Sequence, residues 1–447
     1  MTVADAPVVA GLAPAAFLRD FDVVADALPS APEFLRALRR RAFEQFASTG
    51  FPTTKNEDWH FTSVSPIAES EFLAMTAPGG EVTAEQAAAF AFAPDWHTAV
   101  FVNGRFAPKL SSLDALPAGV RVLPFARALA EAPELVERYL GRVSGFEDVA
   151  HAFTALNTAY LLDGALVHVA KDVVVDRPIH LLYVSDALAA RGIVHPRTLV
   201  VVDRHAKAEL VESYAATGDA HYFTNAVTEI ALADGATLTH LRLQRESRRA
   251  FHVGSVVARQ ARDSHYVSFG FVTGAQLSRQ NVYTSLDGPG SGATLNGLCM
   301  LDDEQHADHQ TMIVHAAPDC YSRELYKFVL DGASHGVFNG KVYVHPEAQK
   351  TDGKQTNNTL LLSERATVDT KPQLEIFADD VKCTHGATVG RIDQAAAFYM
   401  KSRGVGAELA RRLLTYAFAA DVLETLEDEA VKVALEAATL ERFTKGN

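Results

Sequence analysis

The chain has 447 residues, of which 48% are hydrophobic and 21% are charged, and its formal net charge is −14. This composition supplies enough apolar surface for a large core and excludes an intrinsically disordered chain. The acidic balance, without a large cluster of Lys and Arg, excludes a nucleic-acid-binding protein that depends on a basic face.

The cysteines and the N-terminal stretch indicate the cellular compartment. Cys299, Cys320 and Cys383 are widely spaced and odd in number, which argues against a disulfide framework and suits a reducing environment. The N-terminal stretch lacks the basic and apolar segments of a secretion signal. No run of about 18 apolar residues occurs that could span a membrane. We therefore expect a protein of the cytoplasm that contacts neither membrane nor nucleic acid.

Residues 1–150 are predicted to form an N-terminal region that is helical or mixed. Apolar residues at helical spacing over residues 31–49 predict a helix that ends at Gly50. The stretch KNEDWHFTS, residues 55–63, follows as a loop with Trp59 as its aromatic anchor. Asn103-Gly104 predicts a tight turn between two strands.

Residues 151–392 are predicted to form a β core after an initial helix. Beyond Gly164 the helical period disappears, and short β runs alternate with Gly, Asp, Asn and Pro. Similar runs begin at Ala236, His265, Ala293 and Cys320, at offsets of 29, 28 and 27 residues. A period of this length with no helical connections favours a coil of stacked strands, a parallel β-helix. A β-sandwich or a large barrel is the alternative.

Residues 393–447 are predicted to form a C-terminal helical domain. Apolar residues follow one stripe of its main helix, among them Leu409, Leu413 and Phe418. One interpretation is a helix that covers the end of the β core. The other is a docking surface for a second protein. Both can hold on different faces of the helix.

Cys383 and His385 lie at the changeover from β core to helical domain. In a strand, residues i and i+2 face the same side, so the thiol and the imidazole would point together. Both groups are ligands for iron and other borderline-soft metals. The alternative is a buried, inert cysteine beside a structural histidine.

A second histidine cluster lies upstream, at His306, His309 and His315. Two histidines three residues apart and a third six residues later could form a facial metal site. Alternatively, the three side chains alternate across a strand and bond to neighbouring strands. No phosphate-binding loop and no nucleophile elbow occurs, so we expect no catalytic activity of the chain's own.

Three stretches together carry a specific resemblance: the run from His306 to Asp393, FYMKSRGV at residues 398–405, and KNEDWHFTS. With them the chain resembles the SufB/SufD family of the SUF iron–sulfur cluster assembly system, on its SufD side. The similarity is strongest over residues 225–405 and continues more weakly into the N-terminal third. The resemblance implies a right-handed parallel β-helix between two helical regions.

The resemblance also implies a function and partners. SufD proteins are non-catalytic scaffold subunits that pair with the paralogue SufB and bind the ATPase SufC, which hydrolyses ATP. The nascent iron–sulfur cluster would be shared with SufB, and none would be bound by this chain alone. His385 matches the SufD histidine that faces SufB across the interface, where it is implicated as a ligand or iron-handling group. Cys383 matches a further family position.

SufC would dock on the C-terminal helices. The positions of this chain assigned to that surface are Arg403, Gly404, Leu409, Leu413 and Phe418. A homodimer through the same β-helix edge is possible when the chain is alone. An independent β-helix enzyme, such as a polysaccharide lyase, is the alternative from another class. The lack of an export signal counts against such an enzyme.

Two positions separate the paralogues. SufB proteins carry a reactive cysteine in a run resembling NCDSLLIG, and Asn358 stands at that place here. SufB proteins also carry a glutamate in an HEAT run, where this chain has Gly386. An amide cannot supply a thiolate, so we expect this chain to lack the primary sulfur-accepting group.

Overall fold

The structure, a computed structural model, describes residues 13–26, 31–76, 80–145 and 151–442. Two parallel sheets face each other, and the chain passes from one to the other and back, forming a β-solenoid of about eight turns. This confirms the predicted β-helix core with helices on both sides and excludes the sandwich and barrel alternatives. Most of the N-terminal stretch, for which no export signal is predicted, lies outside the described residues.

Helices occur before and after the solenoid. They are α1 Ala16–Arg19, α2 Phe21–Asp26, α3 Glu33–Thr49, α4 Ser65–Ala68, α5 Ala84–Ala88, α6 Phe125–Glu131, α7 Pro133–Tyr139, α8 Ala152–Ala159, α9 Gln394–Ser402, α10 Ala407–Leu423 and α11 Glu429–Arg442. Short 3-10 turns lie at Glu57–Trp59, Pro108–Leu110 and Ala187–Ala189. Among the helices of the described ranges, none has the length and apolar character that crossing a membrane requires.

The strands divide between a first and a second sheet. The first sheet contains β1 Leu73–Ala74, β4 Val120–Pro124, β5 Ala165–Val169, β7 Gly192–Val194, β8 Arg197–Val202, β10 Phe223–Leu232, β12 Phe251–Gln260, β14 Leu277–Leu286, β16 His306–His315, β18 His335–Val344 and β20 Thr367–Ile376. The second contains β2 His97–Val102, β3 Arg105–Phe106, β6 Ile179–Ser185, β9 Lys207–Ala216, β11 Thr237–Arg245, β13 His265–Val272, β15 Gly292–Leu301, β17 Tyr321–Leu330, β19 Asp352–Leu361 and β21 Lys382–Arg391.

The sequence repeat marks one strand of each turn. Thr237 pairs with His265, His265 with Gly292, and Gly292 with Tyr321. The repeat read from the sequence instead aligns Ala236 with His265, one residue away from this register. The connecting turns differ in length, with four residues between Gln260 and His265 but five between Leu286 and Gly292. A one-residue error matters because it exchanges the inner and outer faces of a strand.

Three apolar cores hold the molecule together. The first fills the solenoid with the inward side chains of both sheets, such as Leu238 and Ile313. The second joins the N-terminal helices to the outer face of the first sheet around Phe153 and Phe223. The third joins α10 and α11 to the outer face of the second sheet around Val422. The C-terminal helices therefore lie along the stack on the second sheet rather than across its end, and part of the N-terminal region, around Phe90 and Trp96, also packs on that sheet.

The motif KNEDWHFTS fastens the N-terminal region to the solenoid. Trp59 is buried, and the Arg279 guanidinium lies 3.6 Å from the centre of its ring. The same guanidinium donates to the Asp308 carboxylate at 2.5 Å, with both side chains 1% exposed. Glu57 accepts from Lys371 on β20, the last strand of the first sheet, at 2.6 Å. The motif thus connects the middle of the stack to its final turn.

The inner face of the second sheet is polar near its start, at Glu212, His240 and Arg242, and is polar again toward the C-terminal end. One column of stacked positions runs Leu295, Glu324, Gln355 and His385. The buried Glu324 carboxylate accepts from Gln355 Nε2 at 2.7 Å. Burial raises the pKa of Glu324 to about 7, against the opposing effect of hydrogen bonds from Thr311 and Gln355. The lumen of the later turns therefore also contains a titratable group, in addition to Glu212 and His240 of the earlier turns.

Removing the Arg279 side chain should leave Asp308 as a buried, uncompensated charge. We expect Arg279→Met to lower the free energy of unfolding by about 3–5 kcal/mol, measured by urea denaturation. Arg259→Met is the matched control, because Arg259 forms an exposed pair with Asp287 on the neighbouring strand. Its loss should cost less than about 1 kcal/mol. If the two variants lost equal amounts of stability, the Arg279–Asp308 pair would not be what fastens the N-terminal region to the solenoid.

Glu324 should make stability fall as the pH rises. Its folded pKa of about 7 exceeds the ordinary value of 4.5, so the folded state holds the proton more tightly between these pH values. We expect the urea midpoint of the wild type to drop between about pH 5 and about pH 8 by more than that of Glu324→Gln. Glu209, whose pKa is also raised to about 7, remains in both proteins and cancels in the comparison. Parallel pH profiles would show that Glu324 does not titrate in this range.

Candidate metal-ligand site on the terminal turn

The solenoid ends in a turn whose two strands are open. β20 pairs with β18 and β21 pairs with β19, and neither has a partner on its other side among the described residues. Most of β21 is exposed, as are the apolar side chains of Ile376, Phe377 and Val389. An open edge with unpaired backbone groups and apolar side chains is a template for another strand. The sequence reasoning did not single out these apolar residues.

Cys383 and His385 lie together on β21, as the spacing of two residues predicts for a strand. Both belong to the columns that face the lumen, with Cys383 above Gly353 and His385 above Gln355. The Cys383 thiol is half-buried and packs against Val342 and neighbouring apolar groups. Burial raises its pKa, so it is a neutral thiol at neutral pH. His385 is exposed and its imidazole is accessible at the open end.

The paralogue-specific position Asn358 lies on the outer face of β19. Its side-chain oxygen accepts from the Thr388 hydroxyl at 2.7 Å on the adjacent strand. Asn357, one residue earlier, therefore faces the lumen. A Cβ added at Gly386 would meet no atom within 4 Å, so the surface beside His385 is unobstructed. The terminal turn thus offers one accessible imidazole and a protonated thiol, with an amide at Asn358.

The second histidine cluster is divided between the two faces of β16. His306 faces outward, where its Nε2 lies 2.9 Å from the Thr62 hydroxyl. His309 and His315 belong to the inward columns, and His315 Nε2 lies 2.9 Å from the Ser322 hydroxyl. Burial lowers the pKa of His306 and of His315 to about 4 and that of His309 to about 3. The three imidazoles do not converge.

The rest of the described chain also lacks a group of side chains that could hold a metal ion. Within the described ranges, no group of three or more His, Cys, Asp or Glu side chains is arranged to hold a metal ion. The remaining cysteines, Cys299 and Cys320, are buried, and burial raises the pKa of both thiols. Among the described residues, Cys383 and His385 are therefore the two metal-ligand candidates that share the terminal turn.

The C-terminal helices carry a separate exposed apolar surface. Leu409 and Leu413 on α10 are 48% and 39% exposed, whereas Val422, on the opposite side of the same helix, is buried against the second sheet. Phe398 and Tyr399 on α9 are 73% and 59% exposed and extend this surface. These two aromatic residues were missed as docking candidates, although they begin the FYMKSRGV stretch.

The other three predicted docking residues differ in their surroundings. Arg403 lies over the Tyr399 ring at 5.2 Å and is exposed. Gly404 has a φ of +85°, a conformation that favours glycine, in the link between α9 and α10. Phe418 is half-buried with Lys327 Nζ 4.7 Å from its ring centre, so it contributes to internal packing.

Comparisons with known proteins match both the N-terminal region and the core of the chain to one family. Residues 184–418 match the family model described as SUF system FeS cluster assembly, SufBD core domain, and residues 19–181 match the SufBD protein N-terminal region. The chain is 34% identical over 407 residues to the iron–sulfur cluster assembly protein SufD of Escherichia coli, covering 90% of this chain and 92% of the relative.

Two further relatives show the same full-length similarity. An iron–sulfur cluster assembly SufBD family protein of Synechocystis is 34% identical over 399 residues, covering 87% of this chain and 86% of the relative. SufD of Bacillus subtilis is 29% identical over 425 residues, covering 93% and 95%. The chain belongs to the SufBD family of iron–sulfur cluster assembly proteins.

Proposed function

We propose that this protein is a non-catalytic scaffold subunit of a SUF assembly complex in the cytoplasm. It pairs with a SufB paralogue through the terminal turn and binds the ATPase SufC through α9 and α10. The nascent iron–sulfur cluster is the cargo, held between the two paralogues and not by this chain alone. The observation that carries the proposal is the accessible His385 on an open strand edge.

The open edges of β20 and β21 support pairing with another solenoid. Each edge presents a row of backbone groups at the spacing of a parallel or antiparallel partner strand. A paralogue with the same fold would present matching edges, and so would a second copy of this chain. Native mass measurement of the chain with and without SufB distinguishes the heterodimer from the homodimer.

The chemistry of the site fits a shared ligand set. A neutral imidazole donates one nitrogen lone pair to iron, and a thiolate from the partner supplies sulfur coordination. Asn358, which lacks a thiol, leaves sulfur acceptance to the partner. Because the ligands would come from two subunits, an ATPase that shifts one subunit against the other could open or close the site.

The exposed surface of α9 and α10 supports ATPase docking. Phe398, Tyr399, Leu409 and Leu413 leave apolar side chains in contact with water, a pattern that marks protein interaction sites. The opposite side of α10 is fixed to the solenoid by the apolar core around Val422. A force applied to these helices would therefore reach the solenoid through a rigid contact.

We expect His385→Ala to reduce cluster formation while leaving the fold and the binding of SufB and SufC intact, because the imidazole is exposed and makes no structural contribution to the core. The measurement is the cluster absorbance of the anaerobically reconstituted complex. Thr384→Ala is the matched control, since Thr384 is exposed on the opposite face of the same strand. Unchanged cluster yield in His385→Ala would remove His385 from the site.

The double variant Leu409→Asp/Leu413→Asp should lose retention of SufC in a pull-down, because two charges would be buried at an apolar contact. The solenoid should melt at an unchanged temperature, since both side chains are exposed. Val433→Asp on α11 is the control, with Val433 being 53% exposed outside this surface. Retention of SufC by the double variant would exclude this surface as the docking site.

A further inference from the structure

The helical hairpin of α10 and α11 is attached to the second sheet in two different ways along its length. Near the loop that joins the two helices, Val422, Val431 and Leu435 are fully buried in the third apolar core. At the other end, residues 407–415 of α10 and residues 438–442 of α11 border a cavity of about 670 Å³ between the helices and the solenoid. These two segments are called the loose end of the hairpin, because a cavity separates them from the solenoid where the apolar core packs the rest.

Ion pairs join the loose end to two turns of the solenoid. Arg411 of α10 donates to the Asp331 carboxylate at 2.8 Å, in the turn between β17 and β18. Arg442 of α11 donates to the Asp302 carboxylate at 3.2 Å, in the turn between β15 and β16, and Asp302 also pairs with Arg248. The side chains of Arg411 and Asp331 are 43% and 28% exposed, and ion pairs as exposed as these are screened by salt. The loose end is therefore held by contacts that water and salt can replace.

Two guanidinium groups beside the cavity lack part of their hydrogen bonding while the loose end is closed. The Nε atoms of Arg412 and Arg442 are buried and have no partner among the described residues. Burial lowers the pKa of Arg442, and the nearby Asp302 carboxylate opposes this effect. A buried donor without a partner is unfavourable, and both guanidinium groups would bond to water if the loose end moved away. This gain offsets part of the free energy that is lost when the ion pairs break.

Arg411 also connects α10 to the strand that lies below the terminal turn. Besides the Asp331 carboxylate, its guanidinium contacts the Leu362 carbonyl at 3.2 Å. Leu362 directly follows β19, and β19 pairs with β21, the strand that carries His385. Movement of α10 away from the solenoid would therefore release a backbone contact next to the terminal turn.

We propose that Arg411 and Arg442 form an ionic latch, and that the hairpin swings away from the solenoid about the third apolar core when this latch opens. The exposed Leu409 and Leu413 lie on the same half of α10 as Arg411. A protein bound to that surface therefore acts on the end of the hairpin that the latch holds. The latch is a property of the isolated chain, and it rests on the proposed function only for the identification of SufC as the protein that opens it.

Thiol labelling of the isolated full-length chain measures this opening. Thr415 borders the cavity and is 1% exposed, so the thiol of Thr415→Cys should react with N-ethylmaleimide when the hairpin opens. Ala419 lies one turn later on the same face of α10 but belongs to the apolar core, which makes Ala419→Cys the matched control. The native Cys299 and Cys320 are buried in the solenoid and report unfolding of the whole molecule. Mass spectrometry of the labelled peptides gives the rate at each thiol.

Substitutions on the solenoid side weaken the latch without changing the sequence of the helices. We expect Asp302→Asn together with Asp331→Asn to raise the labelling rate of Thr415→Cys by about tenfold. The labelling rates of Ala419→Cys and of the native buried cysteines should stay the same, because the apolar core and the solenoid remain closed.

A salt series and a distant substitution complete the comparison. Raising NaCl from about 0.05 M to about 1 M should speed labelling of Thr415→Cys and leave Ala419→Cys unchanged, since salt screens the latch but not the apolar core. Asp287→Asn removes a carboxylate that pairs with Arg259 after a strand of the first sheet, and it should change no labelling rate.

Two results would overturn the latch. One is an unchanged labelling rate of Thr415→Cys when both aspartates are replaced. The other is a salt series in which the rates at all thiols rise together or none rises, and this series decides the outcome if the double variant does not fold. The pull-down of SufC with Leu409→Asp/Leu413→Asp tests the proposed docking surface separately. Selective labelling together with SufC retention by that variant keeps the latch and rejects the docking surface, and the reverse pattern rejects the latch alone.

Discussion

The parallel β-ladder is the constraint from which the rest of this structure follows. Every inner turn of the solenoid satisfies its backbone groups on both sides and buries its inward side chains on the next turn. The final turn cannot do so, and β20 and β21 keep one unpaired edge each. His385 and Cys383 lie on that turn, so the ligand candidates and the open edge occupy the same place. In the proposed complex, the partner that completes the ladder would also supply the remaining metal ligands.

The inner face of the solenoid contains both apolar residues that stabilise the fold and polar residues near the proposed site. The inner face combines apolar residues such as Leu295 and Cys299 with buried polar groups such as Glu212 and His240, which bond to each other. Toward the open end, Glu324 and Gln355 stack above Leu295, and Asn357 stacks above Tyr326. The N-terminal clamp of Trp59, Arg279 and Asp308 compensates from outside, and the Glu57–Lys371 pair extends it to the last strand. Contacts on the outer surface of the solenoid therefore stabilise the turns that carry polar side chains in the lumen.

The sequence predicts the β-helix architecture. It predicts less well which side chains of each strand face the lumen. The period of the β runs identifies one strand per turn, and the spacing of Cys383 and His385 predicts their common side. Turn lengths vary by one residue, however, and each change exchanges inner and outer positions. The assignment of His306 to the outside and His309 to the lumen therefore needs the folded register. The orientation of Gln355 and Asn357 depends on partners one turn away, which no local pattern reveals.

The two ends of the solenoid differ in structure, and this difference limits how many solenoids can associate end to end. At the N-terminal end the second sheet finishes in the two-residue strand β3 and the first sheet in the five-residue strand β4, and Leu113 and Leu116 pack against the inner core there. A short edge covered by apolar side chains gives no template for further strands. Joining two open ends leaves only closed ends outside. The geometry therefore permits a pair of solenoids and prevents growth into a fibre, although the exposed strands are of the type that seeds one.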